Sequence, residues 1–428
     1  MARLWTRGFI LLGVASVPLL LLGFEFKAAS SGDWPQFRGQ NRDGVSAEKG
    51  LLSTWTGDGP PLEWKAAGCG RGYSSVAIAD GKVFTQGDRG QEGFVIAFDA
   101  EGGRELWATP FSQPWSGGGP NSTPTVDGDR VYALSCHGDL VCLDAADGSQ
   151  KWKKNFAQDF GGTMMSGWGF SESVLIDGDR LICTPGGQQA VLVALDKLSG
   201  EPIWKSAMPS GQAGNGAGYS SVVISEAAGV KQYIQLIGRG LISVRAEDGT
   251  FLWGYDKIAN GTANIPTPIV HGDYVFGSTG YSAGSVVLKL SRDGKGVKAK
   301  EIRFLPADEL QNHHGGMVLV GNHIYGGHGH NNGFPICLEF KTGKVAWREG
   351  RGAGEGSAAV VAADGHLYFR YQDGKMALVE ASPKGYREKG TFQIPDCDSP
   401  SWSLPAVAGG RLYLREQDNL LCYRLRAE

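Results

Sequence analysis

STPTVDGDRVYALSCHGDLVCLDAADGSQKW, residues 122–152, carries the plan of the whole chain. A short apolar run ends in Asp127-Gly128, and a second run covers Val131–Leu134. A Gly-containing turn leads to Leu140–Asp144, then "ADG" leads to a fourth run carrying Trp152. Asp-Gly pairs suit hairpin turns because both residues tolerate positive φ. The unit therefore reads as four short antiparallel strands. It recurs seven more times, starting at Ser74, Glu172, Ser220, Pro266, Gly315, Gly356 and Ser403. Four short strands every 40–50 residues is the pattern of a propeller blade.

Tryptophan marks the period. Trp64 to Trp107 is 43 residues, then Trp152, Trp204 and Trp253 follow at 45, 52 and 49. Trp347 comes 94 residues later, two units on, and places an unmarked fourth strand near Glu301–Phe304. An aromatic recurring from one outer strand to the next reads as blade-to-blade packing, since each sheet must bury its face on the next. The eighth unit stops after its third strand, and an orphan fourth strand lies at 62–65. Closing the ring with that segment leaves no sheet edge at the seam. The expectation is an all-β, eight-bladed propeller of four-stranded antiparallel blades, with seven blades as the alternative.

Composition agrees with this class. Glycine supplies 66 of 428 residues, without a Gly-X-Y period, and interior glycine disfavours a helical bundle. The 41 basic and 44 acidic residues give a net charge of −3, with no electrostatic footprint for nucleic acid. Cys142, Cys337 and Cys422 share one third-strand position and read as core residues; no CxxC occurs among the seven cysteines.

Residues 1–30 differ from the rest. Arg3 and Arg7 precede an apolar run from Phe9 to Phe24, followed by small residues, which reads as a signal peptide or an uncleaved N-terminal anchor. The expected organisation is this leader, an extension over 31–61 packed outside the ring, and the propeller over 62–428. Membrane contact would come only through a retained leader, and the location would be exported, periplasmic or associated with the cell envelope.

The repeats resemble the pyrroloquinoline-quinone-type propeller family. Two of its branches are the quinoprotein dehydrogenases and the non-enzymatic lipoprotein scaffold of the outer-membrane β-barrel assembly machinery. The stretch DWPQFRGQNRDGVS, residues 33–46, also resembles the N-terminal lead-in of exported repeat proteins abundant in planctomycete bacteria. The dehydrogenase branch implies an adjacent-cysteine disulfide over the quinone, with a calcium site and an Asp base. This chain has no Cys-Cys pair; Cys136 and Cys142 come nearest, five residues intervening. The scaffold branch implies a lipobox cysteine, also missing after the leader.

Sites on a propeller form where loops lead into the innermost strands. Aligning the repeats puts Tyr73, Asn121, Trp168, Tyr219, Asn264, His313 with His314, Glu355 and Trp402 at the channel mouth, as a candidate ring for a flat polar ligand or a peptide. Five of eight histidines fall between His313 and His330. His328 and His330, spaced i,i+2, would share a strand face and could join His313 or His314 around zinc or copper. Glu355 is the candidate base of a metal-dependent hydrolase at that site. The sequence thus points to a non-enzymatic scaffold for protein or envelope partners, with no cofactor. The alternative is a quinone-dependent dehydrogenase or an enzyme using zinc, copper or calcium at the mouth.

Overall fold

The structure, a computed structural model, describes Met1, residues 32–398 and residues 400–427. The leader expected over 1–30 lies outside the described residues, save Met1. Among the described residues no helix is long and apolar enough to cross a membrane.

Eight sheets of four antiparallel strands are present, one of them extended by a fifth strand. In chain order the blades cover 77–112, 125–155, 175–206, 223–255, 269–305, 317–348, 358–393 and 406–424. Leu62–Ala67 completes blade 8, pairing antiparallel with Asn419–Arg424. The ring is thus closed by an N-terminal strand, as the repeat arithmetic predicts. The unmarked fourth strand of blade 5 runs over Gly296–Leu305.

In six blades a side-chain row ending on tryptophan crosses the sheet in register. In blade 2 it is Tyr132, Cys142, Trp152; in blade 6 Tyr325, Cys337, Trp347; in blade 8 Tyr413, Cys422, Trp64. The three cysteines are fully buried, and burial pushes their thiols up, Cys337 to about 11. These are core thiols. The tryptophan then reaches the next blade. Trp64, Trp107, Trp152, Trp204 and Trp347 donate their indole N–H to the carbonyls of Ala100, Ala145, Lys197, Ala246 and Ser382. Trp253 instead donates to Gln232 Oε1 within its own blade. The next blade's turn lies against the indole, so Gly103 is needed twice. Its φ is +70°, and a Cβ there would sit 2.7 Å from Trp64.

Blades 5 and 7 break the row. Arg303 stands at the tryptophan position of blade 5, and Gly390 at that of blade 7. Blade 7 recovers an indole from elsewhere. Trp55, before the propeller, packs on Tyr368 with ring centroids 5.6 Å apart and on Phe392 at 5.4 Å. Its main-chain N–H donates to Lys389 O at 2.9 Å.

The N-terminal extension corrects the expectation that it packs outside the ring. Residues 33–48 cross the channel instead. Trp34 exchanges both backbone hydrogen bonds with Ile78 of blade 1, and Pro35 O accepts from Val126 of blade 2. Val45–Ser46 adds a parallel strand to the inner edge of blade 7. Glu48 accepts from the Gly409 amide of blade 8 and pairs with Arg426. The physical reason is edge accounting. Eight inner strands present unpaired main-chain groups to the channel, and buried groups of that kind must find partners.

Two fully buried arginines join blades 7, 8 and 1 at the seam. Arg370 bonds Ser401 Oγ, Ser403 O, Arg415 O and Glu416 Oε2. Arg415 donates to the carbonyls of Cys69, Gly70, Ser74 and Gln86.

Candidate functional site

The loops entering the inner strands and those joining second to third strands meet on one face, the mouth. There the structure draws five of the expected residues into a continuous line of rings. Tyr73 lies 4.8 Å from Trp402, and Trp402 5.0 Å from His314. His314 lies 4.5 Å from His313, which lies 4.2 Å from His330. Tyr281 ends the line, 4.6 Å from His330 and 5.3 Å from His313. Sequence reasoning missed Tyr281. Its signal is the "TGYSAG" loop of blade 5, where Tyr281 and Ser282 both adopt positive φ.

Most polar atoms of this line bond to the propeller itself. His313 spans Tyr281 Oη at 3.0 Å and Ser357 Oγ at 2.6 Å. Trp402 donates to Gln372 Oε1 at 2.9 Å. His330 Nδ1 accepts from the Tyr281 amide at 3.4 Å. Burial is the first cause that lowers these imidazoles. His313, beside His330, falls to about 4, and His314, beside both, to about 3. They are neutral at pH 7.

His328 does not join them. Its strand, His323–His328, ends there, and His330 turns away into the left-handed region at φ 55°. The shared strand face inferred from the i,i+2 spacing is therefore broken by the turn. His328 is buried elsewhere, next to Arg348, and accepts from the Gln311 amide. Among the described residues no three or more His, Cys, Asp or Glu side chains are placed to hold a metal ion. Glu355 is exposed, its amide tied to Asp373 Oδ2. It is not one of the residues packed on His313.

The remaining expected residues form a separate hydrogen-bonded group over blades 2–5. Tyr219 Oη bonds Ser166 Oγ at 2.6 Å and accepts from the Trp168 amide at 3.2 Å. Asn264 is fully buried, its amide donating to Ile237 O and Gly238 O. Asn121 donates to Ser171 Oγ. Trp168 is the exception, with 54% of its surface exposed.

The quinone cofactor implied by one branch of the resemblance needs a donor set that this chain lacks. All seven cysteines are free thiols, six of them buried. Cys136 at the mouth points its thiol toward Gly119 O. These residues do not supply the adjacent disulfide that the branch requires.

The fold is shared with larger enzymes. The quinohemoprotein alcohol dehydrogenase of Comamonas testosteroni superimposes with a TM-score of 0.64 at 14% identity, covering 93% of this chain and 81% of that one. A europium-containing methanol dehydrogenase gives 0.64 at 12%, covering 90% and 89%. At such identities the likeness is one of fold alone.

Sequence similarity points to the other branch. Outer membrane protein assembly factor BamB of Kangiella koreensis is 27% identical over 142 residues, 31% of this chain and 32% of that protein. Its counterpart from Salmonella typhimurium is 27% identical over 143 residues, 31% of each. The match thus spans about a third of the length of either relative. A longer match, over residues 91–349, is to the family described as outer membrane protein assembly factor BamB. That span runs from blade 1 to the end of blade 6, and with the register-matched rows that repeat across it, it makes this chain a member of the BamB family.

Proposed function

We propose that the protein is an exported, non-catalytic propeller scaffold of the cell envelope that binds protein partners on its mouth face. The observation that carries this reading is the state of the mouth. Its side-chain amides, several of its hydroxyls and both His313 nitrogens are spent on bonds within the ring, while Trp168 is offered to solvent. A poised catalytic set needs a base and a nucleophile or metal within reach of one another. A docking surface needs an exposed aromatic anchor held by a rigid rim. The names of the BamB relatives support an assembly role, and the segment over residues 33–46 supports a planctomycete-type exported member. Periplasmic location and the secretory leader belong to the same reading.

The test joins two measurements on the purified mature chain and in its host. A photo-crosslinking residue in place of Gly167, exposed beside Trp168 with open space around it, is expected to trap a discrete envelope protein, and one in place of Ile302 on the outer rim is not. Incubation with pyrroloquinoline quinone and calcium is expected to give no dye-linked oxidation of alcohols or sugars. Robust turnover in that assay, or equal crosslinking at both positions, overturns the proposal.

A further inference from the structure

The turn-side end of the channel is filled by the N-terminal extension. Four guanidinium contacts of Arg42 define it. Its Nε donates to Val222 O at 3.0 Å, one Nη to Val174 O at 3.0 Å and to Gln36 Oε1 at 3.0 Å, and the other to Ser173 O at 2.6 Å. Three of these acceptors are main-chain carbonyls at the inner strands of blades 3 and 4. Arg38 donates to Met317 O of blade 6 and folds back on Asp43 O at 2.9 Å. Both arginines are buried, and both adopt positive φ, 62° at Arg38 and 57° at Arg42. Non-glycine residues hold such backbone only where surrounding contacts over-determine it.

The remaining contacts continue around the ring. Trp34 pairs with blade 1, Val45–Ser46 adds a strand to blade 7, and Glu48 caps a turn amide of blade 8. Farther along, Trp55 fills the place that Gly390 leaves open in blade 7. A Cβ at Gly390 would lie 2.7 Å from the Trp55 Cβ, so that glycine is shaped to the visitor. Seven of eight blades are touched, all through side chains or edges that a separate peptide could equally supply. A cavity of about 590 Å³ beside Arg38 and Arg42 reaches blade 5, which has no such bond among the described residues. Between Trp55 and the closing strand at Leu62, residues 56–58 are exposed.

We propose that the inner edge of the ring is a peptide-binding site specific for an extended, arginine-bearing segment, occupied here in cis by residues 33–55 and read chiefly through Arg42. Added strand pairing supplies affinity, and the guanidinium fork supplies selection.

The experiment uses the full mature chain with a protease site inserted between Asp58 and Gly59. After cutting at 1 µM, the N-terminal fragment is expected to co-elute with the ring on size exclusion. The same cut in Arg42→Ala is expected to release it, with affinity at least 100-fold weaker. Arg42→Lys, which keeps the charge and loses the fork, is expected to fall between them. Uncut variants are checked by circular dichroism, and Arg42→Lys serves alone if Arg42→Ala does not fold. Release of the unmutated fragment on cutting, or retention by the arginine variants as tight as the parent, overturns the proposal.

Discussion

Removing the charge of Glu416 should strand a cation at the seam of the ring. Arg370 and Glu416 have side chains 0% and 1% exposed and lie 2.7 Å apart. Glu416 Oε2 also accepts from Ser401 Oγ at 2.6 Å, so one oxygen serves two donors. The neighbouring Arg415 is buried too, but its guanidinium donates to blade 1, so Arg370 is the cation that Glu416 pairs with. Burial is the main influence lowering Arg370, and Glu416 is what opposes it. Breaking a buried pair from one side costs about 3–5 kcal/mol. Glu416→Gln keeps an acceptor for Arg370, which puts the loss near the lower bound, about 3 kcal/mol. Glu416→Ala loses that acceptor too and should cost roughly 5 kcal/mol. Arg370→Met should be as severe, since Ser403 O and Arg415 O would each lose a donor. The double variant Arg370→Met/Glu416→Leu should cost less than the sum of its parts, with a coupling of about 2 kcal/mol or more. Urea denaturation followed by tryptophan fluorescence measures each value, provided the slope with denaturant is unchanged. If Glu416→Gln unfolds within about 1 kcal/mol of the parent at pH 7, the seam does not depend on this ion pair and the reasoning fails.

Trp55→Ala should cost about 3–5 kcal/mol, as for other buried tryptophans. Gly390→Ala should cost a similar amount by evicting the same indole, and the double variant should be clearly less than additive in a denaturation cycle. Trp168→Ala should leave the melting temperature unchanged while abolishing partner crosslinking at the mouth. His328 lies at about 4, below its ordinary 6.5, because burial and Arg348 disfavour its charge. The unfolded chain therefore takes up this proton first as pH falls. This stabilising contribution is complete above pH 6.5 and is lost toward pH 4, at up to roughly 1.4 kcal/mol per pH unit. His328→Gln should flatten that slope by one proton in denaturation curves between pH 4 and 6.5, and an unchanged slope would refute the assignment.

The blades were legible because each rests on local chemistry. Asp-Gly turns, alternating strands and a tryptophan at fixed spacing are all readable within one unit, and blade closure followed from counting strands. The mouth was legible in part for the same reason, since Tyr73, His313 and Trp402 occupy one repeat position. What escaped is non-local. Tyr281 lies, like His330, in a loop between second and third strands, outside the repeat position shared by Tyr73, His313 and Trp402. His330 leaves its strand through two left-handed residues, Gly329 and itself, which periodicity could not foresee. The channel segment was misplaced because most of its partners are main-chain carbonyls and amides spread over seven blades, and main-chain groups have no letter in a sequence. Gly390 carries no mark in the sequence, and only the fold sets Trp55 beside it.

The channel segment also sets a load path. Tension applied to the chain at Gly32 meets Trp34, the Arg42 fork, the added strand on blade 7 and Trp55 before it can reach Leu62. The closing strand of blade 8 is thereby shielded from pulling, and a force on the N-terminal side is shared among inner strands around the ring. A propeller held to a surface by that end would strain first at its axis, and its seam would open last.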